Sequence, residues 1–246
     1  MRVRTLATAA GVARTAAEIL ARAVRHDPGL TLGLATGRTM VPFYAALARR
    51  HARGELNLTR ARVFNLDELL LPPEHPASFH TFMRQHAWGR TGLRRERCHI
   101  PDPTAEPEAE CRRYDRAVAA AGGLDLVFLG VGADGHVAYN LPGDAREEAH
   151  VVQVPGAVAD TLRVPASFRP LRAITLGLGP LRRAGHLVLL ATTAEKARAV
   201  RALVHGPDVP AWPCSLLHRH PRLDVLLTPA AAQSLHRPEQ TLTAWP

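Results

Sequence analysis

Residues 130–143, "GVGADGHVAYNLPG", put an aspartate and a histidine two positions apart in a glycine-rich turn that follows the apolar run "LDLVFL". An aspartate next to an imidazole can orient it, and a neutral histidine with a nearby carboxylate can both take and give a proton near neutral pH. Asp134 and His136 are therefore the first candidates for acid–base chemistry. A second candidate sits in "FNLDELLLPPEHPASFHTF", where Asp67 and Glu68 end another apolar stretch. Adjacent strand residues point to opposite faces, so at most one of the two looks into a cleft. A carboxylate there can move a proton between neighbouring carbons of a sugar.

Two further stretches suit an anion. In "ATGRTMVP", Gly37 lets the backbone approach a ligand, Thr36 and Thr39 offer hydroxyls, Arg38 adds charge, and a helix start offers free N–H groups. The pattern is neither a Walker A loop nor a dinucleotide fingerprint. Lys196 is the single lysine among 31 basic residues, the rest being arginines. A lysine that persists against such a bias suits a place where a compact, flexible ammonium is needed, although a solvated helix face would also hold it.

These residues need a frame, and the chain alternates strand-like and helix-like segments. "LTLGLA", "ARVFNLDE", "LDLVFLGVG", "RAITLGL", "HLVLLAT" and "LDVLLTP" read as buried strands. "ARTAAEILARAVRH", "VPFYAALARRHA", "SFHTFMRQHAWGR", "EPEAECRRYDRAVAAAGG" and "AEKARAVRALVHG" have helical spacing, while 141–170 reads as irregular. The order predicts an α/β fold, a mostly parallel sheet flanked by helices on both faces in the Rossmann-like manner, as a single domain over 1–246. Ligands of such sheets sit beyond the carboxyl ends of the strands, which is where the four candidate stretches fall.

Composition narrows the partners. At 46% hydrophobic and 22% charged residues, the chain reads as an ordinary globular protein, with no apolar run of the roughly 20 residues a membrane span needs. The start has a basic beginning and no uninterrupted apolar core, so the expected location is cytoplasmic and no membrane partner is expected. Cys98, Cys111 and Cys214 make neither a disulfide framework nor a metal motif, and "HRH" at 218–220 has no carboxylate or cysteine close by. The net charge of +9 points to an anionic partner. With scattered arginines and only 5% aromatic residues, a phosphorylated small molecule fits better than nucleic acid.

Taken together, "LGLATGRT", "FNLDELLLPPEHPASFHTFM", "AECRRYDRAVAAAGGLDLVFLGVGADGHVAYNLPG", "ITLGLGPL", "EKARAVRALVHG" and "WPCSLLHRHP" resemble the glucosamine-6-phosphate deaminase (isomerase) family, whose fold 6-phosphogluconolactonases share. The resemblance implies a phosphate loop at Thr36, Gly37, Arg38 and Thr39, with Arg38 where a second glycine is usual. It also implies a phosphate-holding role for Lys196, an enolisation base at Asp67, and a ring-opening pair at Asp134 and His136. The activity implied is conversion of glucosamine 6-phosphate and water to fructose 6-phosphate and ammonia, with no metal and no organic cofactor.

The chain departs from the family at Leu141, where deaminases of "HIAFNEPG" type carry a glutamate that supports the same histidine. Loss of one charge-assisted hydrogen bond, roughly 1.5–3 kcal/mol, would slow ring opening by about one to two orders of magnitude. Lactonases carry an apolar residue at that place, so a 6-phosphogluconolactonase-type hydrolase, or another sugar-phosphate isomerase, is the alternative. A sensor without catalysis is the third reading, set against the joint presence of Asp67, Asp134 and His136. Glu147 and Glu148 are candidate substitutes for the lost glutamate, and Arg163 or Arg169 for a family arginine that completes the phosphate site. The sequence leaves open the sugar and whether the chain forms a homo-oligomer.

Overall fold

Short apolar segments set this architecture, because a four- or five-residue strand with no polar side can only be stable when both of its faces are covered. The computed structural model describes residues 1–235. In chain order, β1 (Arg2–Thr5) leads to α1 (Ala9–His26), β2 (Thr31–Leu34) to α2 (Val41–Ala52), and β3 (Arg62–Asn65) to β4 (Asp67–Leu69) and α3 (Phe79–His86). β5 (Cys98–His99), α4 (Pro107–Ala120) and β6 (Leu126–Leu129) come next, followed by β7 (His150–Gln153) and α5 (Gly156–Thr161). The chain continues through β8 (Arg172–Thr175), α6 (Leu178–Arg182), β9 (Leu187–Ala191), α7 (Ala197–His205), β10 (Leu223–Leu227) and α8 (Pro229–Ala232).

Seven strands form one sheet in the order β1-β10-β9-β6-β2-β3-β5, and every pairing in it is parallel. From β2 the chain moves outward to β3 and β5, then crosses back so that β6 lies on the other side of β2. That reversal opens a crevice at the carboxyl ends of β2 and β6. β2, β6, β9 and β10 are buried along their whole length. Helix α1 covers the sheet with Val12, Ala16, Leu20 and Val24, at helical spacing, and Thr8 caps its start by accepting from the Gly11 N–H at 3.0 Å.

Three sequence expectations change. "RAITLGL" does not join the parallel sheet. β8 instead lies antiparallel between β4 and β7 in a second, three-stranded sheet with its own apolar cluster, which includes Leu69, Val152, Val154 and Ala173. "ARVFNLDE" is two strands: Leu66 donates to Leu34 of the large sheet and accepts from Leu176 beside the small one, so the chain changes sheets there. The segment 141–170 holds β7 and α5, which hydrophobic periodicity over so short a span does not reveal. The first residues form the exposed edge strand β1, held by its pairing with β10 and by Arg2 Nε donating to Asp224 at 2.9 Å.

Among the described residues, no helix is long and apolar enough to cross a membrane, and no group of three or more histidine, cysteine or acidic residues could hold a metal. In the "HRH" stretch, His218 Nδ1 faces the Leu203 carbonyl and His220 Nε2 the Ala184 carbonyl, both at 2.8 Å.

Candidate active site

A cleft of about 560 Å³ opens at the sheet reversal. It brings together Thr36, Gly37, Arg38 and Thr39 from the loop after β2, Asp67 from the junction of the two sheets, His136 from the loop after β6, and Lys196 from the turn before α7. Asp134 does not line it and stands behind His136. Four stretches that are distant in the sequence therefore meet where parallel strands end.

At one end the groups suit an anion. Gly37 takes φ +89°, a left-handed conformation that a side chain would strain, and so turns the loop toward the cleft. Lys196 Nζ donates to Thr39 Oγ1 at 2.7 Å. Burial lowers the lysine's pKa and the nearby Arg38 lowers it further, against the opposing effect of Glu195. Among the described residues, no carboxylate lies within ion-pairing distance of Lys196 or Arg38. Two unneutralised cations with adjacent hydroxyls will bind an anion with charge-assisted hydrogen bonds. Lys196→Met should weaken inorganic phosphate binding about 10–100-fold, the worth of one such bond of roughly 1.5–3 kcal/mol, as read by calorimetry. Undiminished binding would remove Lys196 from the site.

Acid–base groups occupy the other side. His136 Nδ1 lies 2.7 Å from Asp134 Oδ1, a close but bent contact short of hydrogen-bond geometry, and the His136 backbone N–H donates to the same oxygen at 3.2 Å. Partial burial raises the Asp134 pKa, yet the close imidazole and the backbone N–H of His136 outweigh it and leave the carboxyl below its ordinary value. Gly132 is required by space, since any Cβ there would collide with the His136 ring and with Asp134 Oδ1. The Tyr139 ring runs nearly parallel to the imidazole, 6.1 Å away at 18°, and Phe79 continues the stack.

The acidic pair separates as adjacent strand residues should. Asp67 faces the cleft at 5% exposure, and its Oδ1 has no hydrogen-bond partner. Burial, with a smaller push from Glu68, raises its pKa to about 8. Glu68 is fully buried on the other face and accepts from the N–H groups of Leu69, Phe79 and His80 at 2.7–2.8 Å, with His80 Nδ1 at 2.7 Å from Oε2. It ties the start of α3 to β4, which explains why "NLDE" and "HPASFHTF" work as a unit and gives Glu68 a positional task.

The remaining candidates are settled by their contacts. Arg169 donates to Asp160 at 2.5 Å and to the Val164 carbonyl, so it latches its own loop. Arg163 is exposed at φ +55°, next to Leu162, which lines the cleft; neither arginine lines it. Glu147 pairs with Arg182 on α6, and Glu148 is likewise absent from the cleft wall. Leu141 packs half-buried against the second apolar cluster, leaving Asp134 as the carboxylate at His136. Sequence reading missed Phe79, Tyr139, Leu162, Thr192 and Thr193 as lining residues. Thr192 and Thr193 follow β9, where the end-of-strand rule could have found them. Leu162 reaches the cleft only through the second sheet and carries no local signal.

Comparison with known proteins finds relatives over most of the chain. The model of the family described as glucosamine-6-phosphate isomerases/6-phosphogluconolactonase matches residues 4–226. A glucosamine-6-phosphate deaminase of Arthrobacter sp. (strain FB24) is 39% identical over 228 residues, 89% of this chain and 87% of that one. The deaminase of Thermoanaerobacter pseudethanolicus is 35% identical, covering 90% of each chain. Among solved structures, a monomeric glucosamine-6-phosphate deaminase superposes with TM-score 0.89 at 32% identity, over 95% of this chain and 100% of that one. A 6-phosphogluconolactonase from Trypanosoma brucei, 20% identical with TM-score 0.77 over 95% of this chain and 98% of that one, shares the fold.

Proposed function

Because the chain belongs to the glucosamine-6-phosphate isomerase/6-phosphogluconolactonase family, we propose that it is a glucosamine-6-phosphate deaminase, releasing ammonia and fructose 6-phosphate, and that the residues meeting in the cleft carry out that reaction. The carrying observation is the convergence in one cleft of an anion-binding end, an imidazole backed by Asp134 and a buried carboxylate whose Oδ1 has no partner.

Lys196, Arg38 and the Thr36 and Thr39 hydroxyls hold the 6-phosphate. His136 takes the proton of the anomeric hydroxyl and delivers one to the ring oxygen as the C1–O5 bond breaks. Asp134 keeps the imidazole oriented through that exchange. Asp67, as carboxylate, removes the C2 proton of the open aldehyde while O1 gains the proton that the substrate ammonium gives up, forming an enolamine, and Asp67 then returns its proton to C1. The resulting C2 imine takes up water and expels ammonia. A substrate ammonium near Asp67 favours its ionised form, offsetting the burial that raises its pKa in the free enzyme.

Leu141 favours a second reading. Its apolar packing leaves His136 without the family glutamate, as suits attack of a water, activated by His136, on a lactone carbonyl. Ammonia release from glucosamine 6-phosphate, measured beside hydrolysis of 6-phosphogluconolactone, separates the two. Ammonia with fructose 6-phosphate is the expected result. Lactone opening without ammonia would replace the deaminase reading by the lactonase one.

A further inference from the structure

We propose that Trp212 is a positioning residue for His136, and that it joins the catalytic turn to the helix that begins beside Lys196. This rests on the acid–base role given to His136. Gly135, between Asp134 and His136, takes φ +87°, and a Cβ there would stand 2.6 Å from Trp212 Cε3 and 3.3 Å from Cys214 Sγ. The backbone of the turn thus lies directly against the indole. The Cys214 N–H donates to the Gly135 carbonyl at 2.8 Å, which fixes the same peptide from a second direction.

The other side of this strap faces α7. The Arg198 guanidinium lies 5.7 Å from the centre of the Trp212 ring, and Cys214 Sγ donates to the Ala199 carbonyl at 3.4 Å. Both partners belong to the first turn of α7, directly after Lys196. The strap is itself rigid: the Trp212 N–H donates to the Val209 carbonyl, and Ser215 Oγ accepts from the Val209 N–H, both at 3.0 Å. Trp212 is only 7% exposed.

A tryptophan serving the core alone would touch side chains of helices and strands. This one also bears on the single glycine between the two acid–base residues. Misplacing a proton-transfer group by about 1 Å can cost up to about 10²-fold in rate, while a ligand held at the far end of the cleft is unaffected.

The test compares Trp212→Leu, Trp212→Phe and Arg198→Gln with the parent protein in kcat, KM, thermal midpoint and the ¹⁵N shifts of the His136 imidazole, which report its tautomer. The expected result for Trp212→Leu is a 10–100-fold lower kcat, a KM within about threefold, and displaced His136 shifts. Trp212→Phe, which keeps a flat ring under Gly135, should recover most of the rate, and Arg198→Gln should lose about 3–10-fold. A folded Trp212→Leu with parental kcat and unmoved His136 shifts overturns the proposal. So does a rate loss that matches the fraction unfolded, or one that appears in KM alone. If the parent itself releases no ammonia, the deaminase reading fails, and the His136 shifts still decide whether Trp212 positions the ring.

Discussion

His136→Ala should lower kcat for ammonia release by about 10²–10⁴-fold while inorganic phosphate binds as tightly as to the parent protein. The size follows from what lines the cleft. His136 is its only histidine among the described residues, and the other titratable groups there are Asp67, Glu195, Lys196, Arg38 and Tyr139. The first four already have another task or another place, and burial pushes the Tyr139 phenol well above its ordinary range. Removing a positioned general acid–base costs about 10²–10⁴ when nothing replaces it. Phosphate binding should be unmoved because Lys196 and Thr39 lie at the opposite end and bond to each other, not to the imidazole. The cavity left by the ring also permits partial rescue by added imidazole. Turnover within tenfold of the parent would remove His136 from the mechanism. A loss of phosphate binding of the same size would show that the substitution had disturbed the whole cleft.

How much of this could be read in advance differs by place. The glycine-rich turn announces itself because Gly132 and Gly135 are needed by space and by φ, and such needs leave a mark on residue type. The parallel sheet was legible from apolar runs that no one-sided strand would carry. The second sheet was not: β7 and β8 are four residues each, and their partners depend on the change of sheet at Leu66. Asp67 owes its burial to that change, so its raised pKa had no local signal either. Spacing alone said only that at most one of Asp67 and Glu68 faces a cleft; the resemblance pointed to Asp67, and the three N–H groups that Glu68 accepts from show what occupies its neighbour. Of the two loop arginines, Arg169 became distinguishable from Arg163 once its bond to Asp160 was visible.

Asp67→Asn should abolish deamination and at the same time make the protein more stable at neutral pH. The catalytic half follows from the proposed base: an amide cannot take the C2 proton, and among the described residues no other carboxylate lines the cleft except Glu195, which sits beside Lys196. In the parent, the ionised form of Asp67 is the active one, so kcat/KM should rise with pH through about 8, not through the ordinary carboxylate range. The stability half has its own sign. In the unfolded chain the carboxyl ionises near pH 4, whereas in the folded protein it stays neutral until about 8. Below pH 4 both states are protonated and the residue costs nothing. Between pH 4 and 8 the unfolded state binds fewer protons, so stability falls as pH rises, by at most about 1.4 kcal/mol per pH unit, and the loss levels off above 8. At pH 7 this amounts to at most about 4 kcal/mol, which asparagine escapes because it never ionises. The expected observation is a thermal midpoint raised by up to about 10 °C at pH 7, with the gain shrinking toward zero near pH 4. A gain that is the same at both pH values would mean that packing, and not the suppressed ionisation of Asp67, accounts for it. An inactive variant with no gain at pH 7 would leave Asp67 as the base but show that its carboxyl is ionised in the resting cleft.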